Sequence, residues 1–188
     1  MLTDIVFPNN NEKEFLSLAV KLNTKILFCY QFGKIPKTDG NFAISTAANN
    51  LNRAINCSKK VLCNSNSREV FESHSPLFIY GLEMMSINDS MHTRHSGMNH
   101  IMASLAYKNG HTICFSPSTL PDTDSRDFPM ILGRMMQNIK LCRKYLIKMK
   151  LASFASSPYR MRAEKEIESF GIFLGMDVAE AKGALSFI

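Results

Sequence analysis

The stretch HTRHSGMNH, residues 92–100, sets three histidines and one arginine around a single glycine. Neither a buried strand nor an amphipathic helix uses that composition. Imidazoles can ligate a metal, and a guanidinium can fork onto a phosphate. If Ser96 caps a helix and Gly97 lets the backbone turn, first-turn N–H groups and Arg94 together form an anion site. His95 would then stack on a base or donate to one, and Asn99 would reach a base edge or a 2′-hydroxyl. The plain alternatives are that His92 is a loop residue and that His100 caps the helix or packs beneath the loop.

A second polar cluster is SSPYRMR, residues 156–162. Tyr159 offers a stacking face, and Arg160 and Arg162 offer donors, a pairing suited to single-stranded RNA although weak as a signal. Tyr159 would equally serve as a core residue. A predicted helix over 126–147 places Leu132, Met135, Met136, Ile139, Cys142 and Leu146 on one face. Arg134, Gln137, Lys140, Arg143 and Lys144 fall on the other. Such a basic stripe is usually a solvated face, and contact with RNA or a partner is the sharper reading. A metal hydrolase would draw on His92, His95 and His100 with Asp4 or Asp89. The spacing is not HExxH and no strand carries an HxH pair. No nucleophile elbow, P-loop or dinucleotide-binding glycine pattern occurs. One strand-end aspartate and a loop of histidines is thin evidence for a metal hydrolase.

The elements that must position these clusters alternate. Strands are expected at 2–7, 25–32, 59–64, 76–82, 111–116 and 149–156, and helices at 12–22, 68–74, 97–110, 126–147 and 164–175, with one more after Asp177. Residues 41–57 read as weakly patterned helix. Six mostly continuous apolar strands alternating with helices predict an α/β fold with a parallel sheet covered on both faces. Six is short of the eight of a full barrel, so an incomplete or distorted barrel fits best. In a parallel sheet the loops leaving 76–82 and 149–156 emerge on one rim. That topology predicts that the two polar clusters share one cationic ledge.

Bulk properties agree with a single domain over 1–188. The 188 residues carry a net charge of +6, which favours an anionic partner. Five cysteines without a CxxC pattern read as free thiols in a reducing compartment. No secretion signal and no apolar run of ~18 residues is seen, so a soluble, cytoplasmic protein is expected.

The segment YGLEMMSINDSMHTRHSGMNHIMASLAYKNGHTICFSPSTL resembles the ribonuclease P protein component 3 family of archaea. That family carries an arginine, a small residue and glycine, a hydrophobe, Asn or Asp, and His, matched by Arg94, Ser96, Gly97, Met98, Asn99 and His100. The run from LGRMMQ to AKGAL is similar to the family's C-terminal half, and the resemblance spans about residues 76–186. Over the first 75 residues only the order of strands agrees. The resemblance implies a TIM-barrel-like fold of the PHP phosphoesterase type. It also implies a protein subunit of ribonuclease P that supports the catalytic RNA in removing the 5′ leader from precursor tRNA. Magnesium would belong to the RNA, with no cofactor held by this chain. Partners would be the ribonuclease P RNA, precursor tRNA, component 2 and other subunits. PHP enzymes open with an HxH pair where this chain reads LTDIVFP, which argues against a retained metal site. On this reading Arg94, His95, Asn99, His100, Lys144, Tyr159, Arg160 and Arg162 face RNA. Arg134, Gln137 and Arg143 are candidates for the protein partner. The alternatives are a stand-alone metal-dependent phosphoesterase and a scaffold that touches only protein.

Overall fold

A computed structural model describes residues 2–34, 42–85, 88–91, 94–120, 125 and 127–186. Seven strands form one parallel sheet in strict sequence order: β1 (Thr3–Val6), β2 (Lys25–Gln31), β3 (Phe42–Thr46), β4 (Val61–Cys63), β5 (Phe78–Tyr80), β6 (Thr112–Phe115) and β7 (Lys148–Leu151). The helices are α1 (Glu12–Leu22), α2 (Leu51–Cys57), α3 (Arg68–Glu72), α4 (His100–Lys108), α5 (Phe128–Tyr145), α6 (Glu164–Phe173) and α7 (Val178–Gly183). The incomplete parallel α/β barrel expected from the alternation is what forms. One expectation fails: residues 41–57 are not all helix. Phe42–Thr46 pairs between β2 and β4, raising the strand count from six to seven, and helix begins only at Leu51.

The sheet curls until its edges meet. Beyond β7, Ala155 bridges to Val6 of β1, and Phe7 N–H donates to the Ala155 carbonyl at 2.9 Å. At the opposite end, residues 184–185 fill the seam, taking bonds from Leu151 N–H and Thr3 N–H. The barrel is narrow, and its interior is lined mainly by small and medium side chains, among them Ile5, Leu27, Cys29, Ala43, Leu62, Cys114 and Ala152. The larger apolar core lies between strands and helices, where Phe71, Ile79, Ile113, Phe115, Met135 and Ile139 are buried. Cys29, Cys63, Cys114 and Cys142 are buried free thiols, whereas Cys57 is exposed.

Asp4 locks the seam. Its carboxylate accepts the Ser153 backbone N–H and the Ser153 hydroxyl, both at 2.6 Å. Burial raises its pKa to about 6, against the lowering pull of the Ser153 bonds. His111 is a satisfied core histidine. Leu77 N–H donates to its Nδ1, its Nε2 donates to the Phe71 carbonyl, and burial lowers its pKa.

Gly97, at φ +81°, lies so close to Leu82 that a Cβ would stand 2.1 Å from the Leu82 carbonyl oxygen. This contact seats the loop after β5 on the short helical turn Leu82–Met84. The helix beyond does not start at Gly97 behind a Ser96 cap, as expected, but at His100. Asn99 is the cap, its Oδ1 accepting Met102 N–H at 2.9 Å, while the buried Ser96 hydroxyl donates to the Met98 carbonyl. Asn caps as well as Ser does, so tertiary packing of Ser96 and Met98 decided between them.

These contacts fix how stability responds to pH and to substitution. Asp4 favours its protonated form in the folded chain, so its contribution is full below the unfolded value of 3.8 and declines as pH rises through about 6. The neutral isostere Asp4→Asn should abolish about 2.4 kcal/mol of the stability lost between pH 4 and pH 8, read from urea melts at each pH. Parallel pH profiles for the two proteins would contradict this. Gly97→Ala should cost ~3 kcal/mol or more, against ~1 kcal/mol for Gly33→Ala. Gly33 has the same sign of φ, but a Cβ there would meet nothing within 4 Å, so equal losses would remove the role given to the Leu82 carbonyl.

Candidate nucleic-acid interface

Asp89, Arg94 and Ser96 are fastened to α5 by hydrogen bonds and an ion pair. Arg134 is 1 % exposed. Its Nε and Nη2 both reach Asp89 Oδ1 at 2.8 Å, and its Nη1 donates to the Glu83 carbonyl at 2.9 Å. Asn138 Nδ2 donates to the Ser96 carbonyl at 2.8 Å, and Arg94 Nη1 to the Gly133 carbonyl at 3.2 Å. Burial pushes the Asp89 carboxyl up, but the His95 N–H and the Arg134 guanidinium outweigh it and hold the pKa below the usual carboxylate range. The Glu83 carboxyl, deep in the protein, is pushed up by burial. Arg134 is therefore not on an outer partner-binding face, as its place in the basic stripe suggested. It falls between Ile131, Met135 and Asn138 on the buried arc of α5.

The loop so held presents Arg94, His95, Asn99 and His100 around one groove of about 430 Å³, floored by Met98, Met102 and Leu141 and walled by Gln137. Arg94 also borders a second groove with Gln137, Lys140 and Phe173. Arg94, His95, Asn99 and His100 are exposed. His95 Nε2 shares a 2.7 Å bond with Ser90 Oγ, and His100 Nδ1 shares one of 3.2 Å with Tyr145 OH. Lys144 lies one turn beyond Lys140, its ammonium 5.7 Å from the Tyr145 ring centre. The arrangement is a shallow cationic groove with an apolar floor and donors on both walls, able to neutralise phosphates along a strand.

Tyr159, Arg160 and Arg162 form a separate group. Tyr159 is 91 % exposed, so it is not core. Their turn, Pro158–Arg160, packs against α1, with Met161 buried beside Phe15 and Ala19. Arg162 Nη1 folds back onto the carbonyls of Tyr159 and Met161. The loops after β5 and β7 leave the same rim, because all seven strands are parallel. No hydrogen bond or ion pair among the described residues joins the Arg94 groove to this turn. Arg143, a candidate for the protein partner, is tied down by Glu180 at 2.6 Å and by the Gly175 carbonyl. Gln137 remains at the groove wall.

The donors proposed for a metal do not converge. Asp4 is spent on the seam, Asp89 on Arg134 and the His95 N–H, and His95 and His100 on different partners. His92 lies outside the described residues. Among the described residues no group of three His, Cys, Asp or Glu side chains is placed to hold an ion. The barrel mouth, where a phosphoesterase of the PHP type would need ligands, holds stacked rings instead. Tyr80 and Phe154 lie 5.1 Å apart, and Phe7 and Phe154 5.9 Å. The described residues do not fit a metal centre.

Sequence reasoning missed Arg134 and Asn138 as the residues that position the loop. The signal was their spacing of three and seven from Ile131, which puts both on the core face.

No helix among the described residues is long and apolar enough to cross a membrane. No protein-family model matches the chain. A curated protein of Thermococcus kodakarensis named ribonuclease P protein component 3 is 33% identical over 91 residues, which is 48% of this chain and 41% of that protein. Proteins of the same name from Thermococcus gammatolerans and Methanosarcina mazei are 32% and 29% identical over 91 and 102 residues. Those matches cover 48% and 54% of this chain and 42% and 43% of theirs. The match thus spans about two fifths of the length of these relatives. A chain in the cryo-EM structure of archaeal ribonuclease P with mature tRNA superposes with a TM-score of 0.76 at 15% identity, over 97% of this chain and 86% of that one. Over about half its length, then, the chain is a homologue of archaeal proteins named ribonuclease P protein component 3, and it shares its fold with a chain of archaeal ribonuclease P.

Proposed function

We propose that the protein is a ribonuclease P subunit that supports the catalytic RNA in removing the 5′ leader from precursor tRNA, without a catalytic group of its own. The relationship to the component 3 proteins carries this reading. The groove around Arg94 supports it, because it offers cationic and hydrogen-bonding side chains on a preorganised loop but no hydrolytic centre. Positive groups there would neutralise phosphates where RNA strands crowd together, so that less magnesium is needed to hold the active RNA fold. Magnesium is used by the RNA, and none is held by this chain. Ribonuclease P RNA and precursor tRNA are the nucleic-acid partners, and component 2 and further subunits the protein partners, in a cytoplasmic complex. Arg94 makes the principal backbone contact; Lys144 and the more distant Arg160 and Arg162 add to the same field.

Reconstitution with the RNA and the sibling subunits tests this. Arg94→Ala should lower cleavage about tenfold at limiting magnesium, the worth of one charge-assisted contact, and recover at high magnesium. The salt slope of RNA binding should fall by about one. Unchanged cleavage at every magnesium concentration would remove the role of Arg94. Phosphate-ester hydrolysis by the purified chain with added manganese or zinc would favour the phosphoesterase reading instead.

A further inference from the structure

The mouth of the barrel carries a second polar site, distinct from the Arg94 groove. The C-terminal ends of β1 and β2, with Ser45 of β3 and Tyr80 of β5, line a cleft of about 640 Å³, within the size range of small-ligand sites. A neighbouring cleft shares Gln31, Ser45 and Tyr80 with it and adds Asn49, Asn50 and Asn64, so the two are continuous. The lining is dominated by carboxamides: Asn9, Asn10 and Gln31 in one part, Asn49, Asn50 and Asn64 in the other. Among the described residues the lining of the first part carries two charged side chains, Glu12 and Lys34, of opposite sign, and Glu12 accepts the Tyr30 hydroxyl at 3.3 Å.

Several of these amides have no protein partner among the described residues. The side chains of Asn9, Asn10 and Gln31 make no hydrogen bond among the described residues, and Gln31 is exposed at the cleft wall. Tyr80, by contrast, is fixed. Its hydroxyl meets Ser45 Oγ at 2.9 Å and the Asn64 side chain. Gly81 keeps that partner in place, since a Cβ there would fall 2.6 Å from Asn64 Nδ2. Behind Tyr80 stand Phe154 and Phe7, the three rings packed within 5.1 to 6.0 Å of one another. The site is thus an oriented aromatic ring bordered by exposed carboxamides, with Lys34 on its rim.

Carboxamides pair in two-point fashion with the edges of nucleobases, and a flat ring supplies the stacking face. We propose that the barrel mouth binds a nucleobase, stacked toward Tyr80 and read at its edge by Gln31 and the asparagines at the ends of β1, β3 and β4, with Lys34 meeting an attached phosphate. The base can arrive on a free nucleotide or as an unpaired residue of an RNA strand. The site does not depend on ribonuclease P membership.

The test is an NMR titration of the full chain with AMP, GMP, CMP and UMP, with inorganic phosphate as control and a ten-nucleotide single-stranded RNA in parallel. At least one nucleotide or the RNA should saturably shift the Tyr80 ring and Gln31 amide signals, while phosphate leaves them unmoved. Gln31→Leu and Asn49→Leu, both at the cleft surface, should each weaken that binding at least tenfold. Shifts with mononucleotides identify a free nucleotide as a sufficient ligand. Shifts with the RNA alone identify a base carried by a strand. The proposal is overturned if no probe moves Tyr80, or if both variants bind like the wild type. RNA binding that is lost in Arg94→Ala but untouched by Gln31→Leu and Asn49→Leu would overturn this site and leave the Arg94 interface standing.

Discussion

A guanidinium buried to 1 % exposure holds the functional face together. An unpaired charge there would cost several kcal/mol, so Arg134 must be bonded on every side the core leaves open. It finds Asp89 and the Glu83 carbonyl, both on the segment that leaves β5. That segment would otherwise be a long surface loop with freedom to wander. Asn138, one turn on, and Gly133, the residue before Arg134, add bonds to Ser96 and Arg94 from the same helix. The position of Arg94 and His95 is thereby inherited from the packing of α5, through Ile131, Met135, Ile139 and Cys142. Gly97 completes the fastening from below, where close approach to Leu82 leaves no room for a side chain.

The same fold separates two kinds of polar surface. The interior of the seven-stranded barrel is filled by small and medium apolar side chains, Ile5, Leu27 and Leu62 with alanines and cysteines, up to the ring stack at the mouth. Around that stack the strand ends carry amides. Outside the rim, between α4 and α5, the charge is positive and the floor is methionine and leucine. A polyanion is attracted to the second surface by its backbone. A base is matched at the first by its edges. The aspartate that might suggest chemistry at the mouth, Asp4, is committed to Ser153 and serves the closure of the barrel.

Much of this was legible in the residues. Continuous apolar runs such as ILFCY and TICF announce strands covered on both faces, and their alternation with helices announces the parallel sheet. The composition of residues 92–100 drew attention to the segment whose described part, residues 94–100, borders the groove. What stayed hidden depended on partners far apart in the chain. FAIST, five residues with one β-branched aliphatic, blends into the helix that follows and becomes a strand because β2 and β4 flank it. Arg134 looks like one more basic residue on an outer stripe until Asp89, 45 residues away, is seen beside it. Ser96 and Asn99 are equally good caps by type, and burial of Ser96 settles the choice. The turn at Pro158–Arg160 shares a rim with Arg94, as the parallel topology requires, but packs on α1, a neighbour that topology alone does not assign.

The interface at residues 94–100 is tested most directly by site-specific photocrosslinking in the reconstituted ribonuclease P complex. A photoreactive amino acid is placed at Asn99 or Lys140, with Asn52 on α2 as the control. Crosslinks from Asn99 and Lys140 to the RNA, absent from Asn52 and fading as salt rises, are the expected result. Crosslinks from both groove positions to protein subunits alone would contradict an RNA-facing groove and assign that surface to a protein partner.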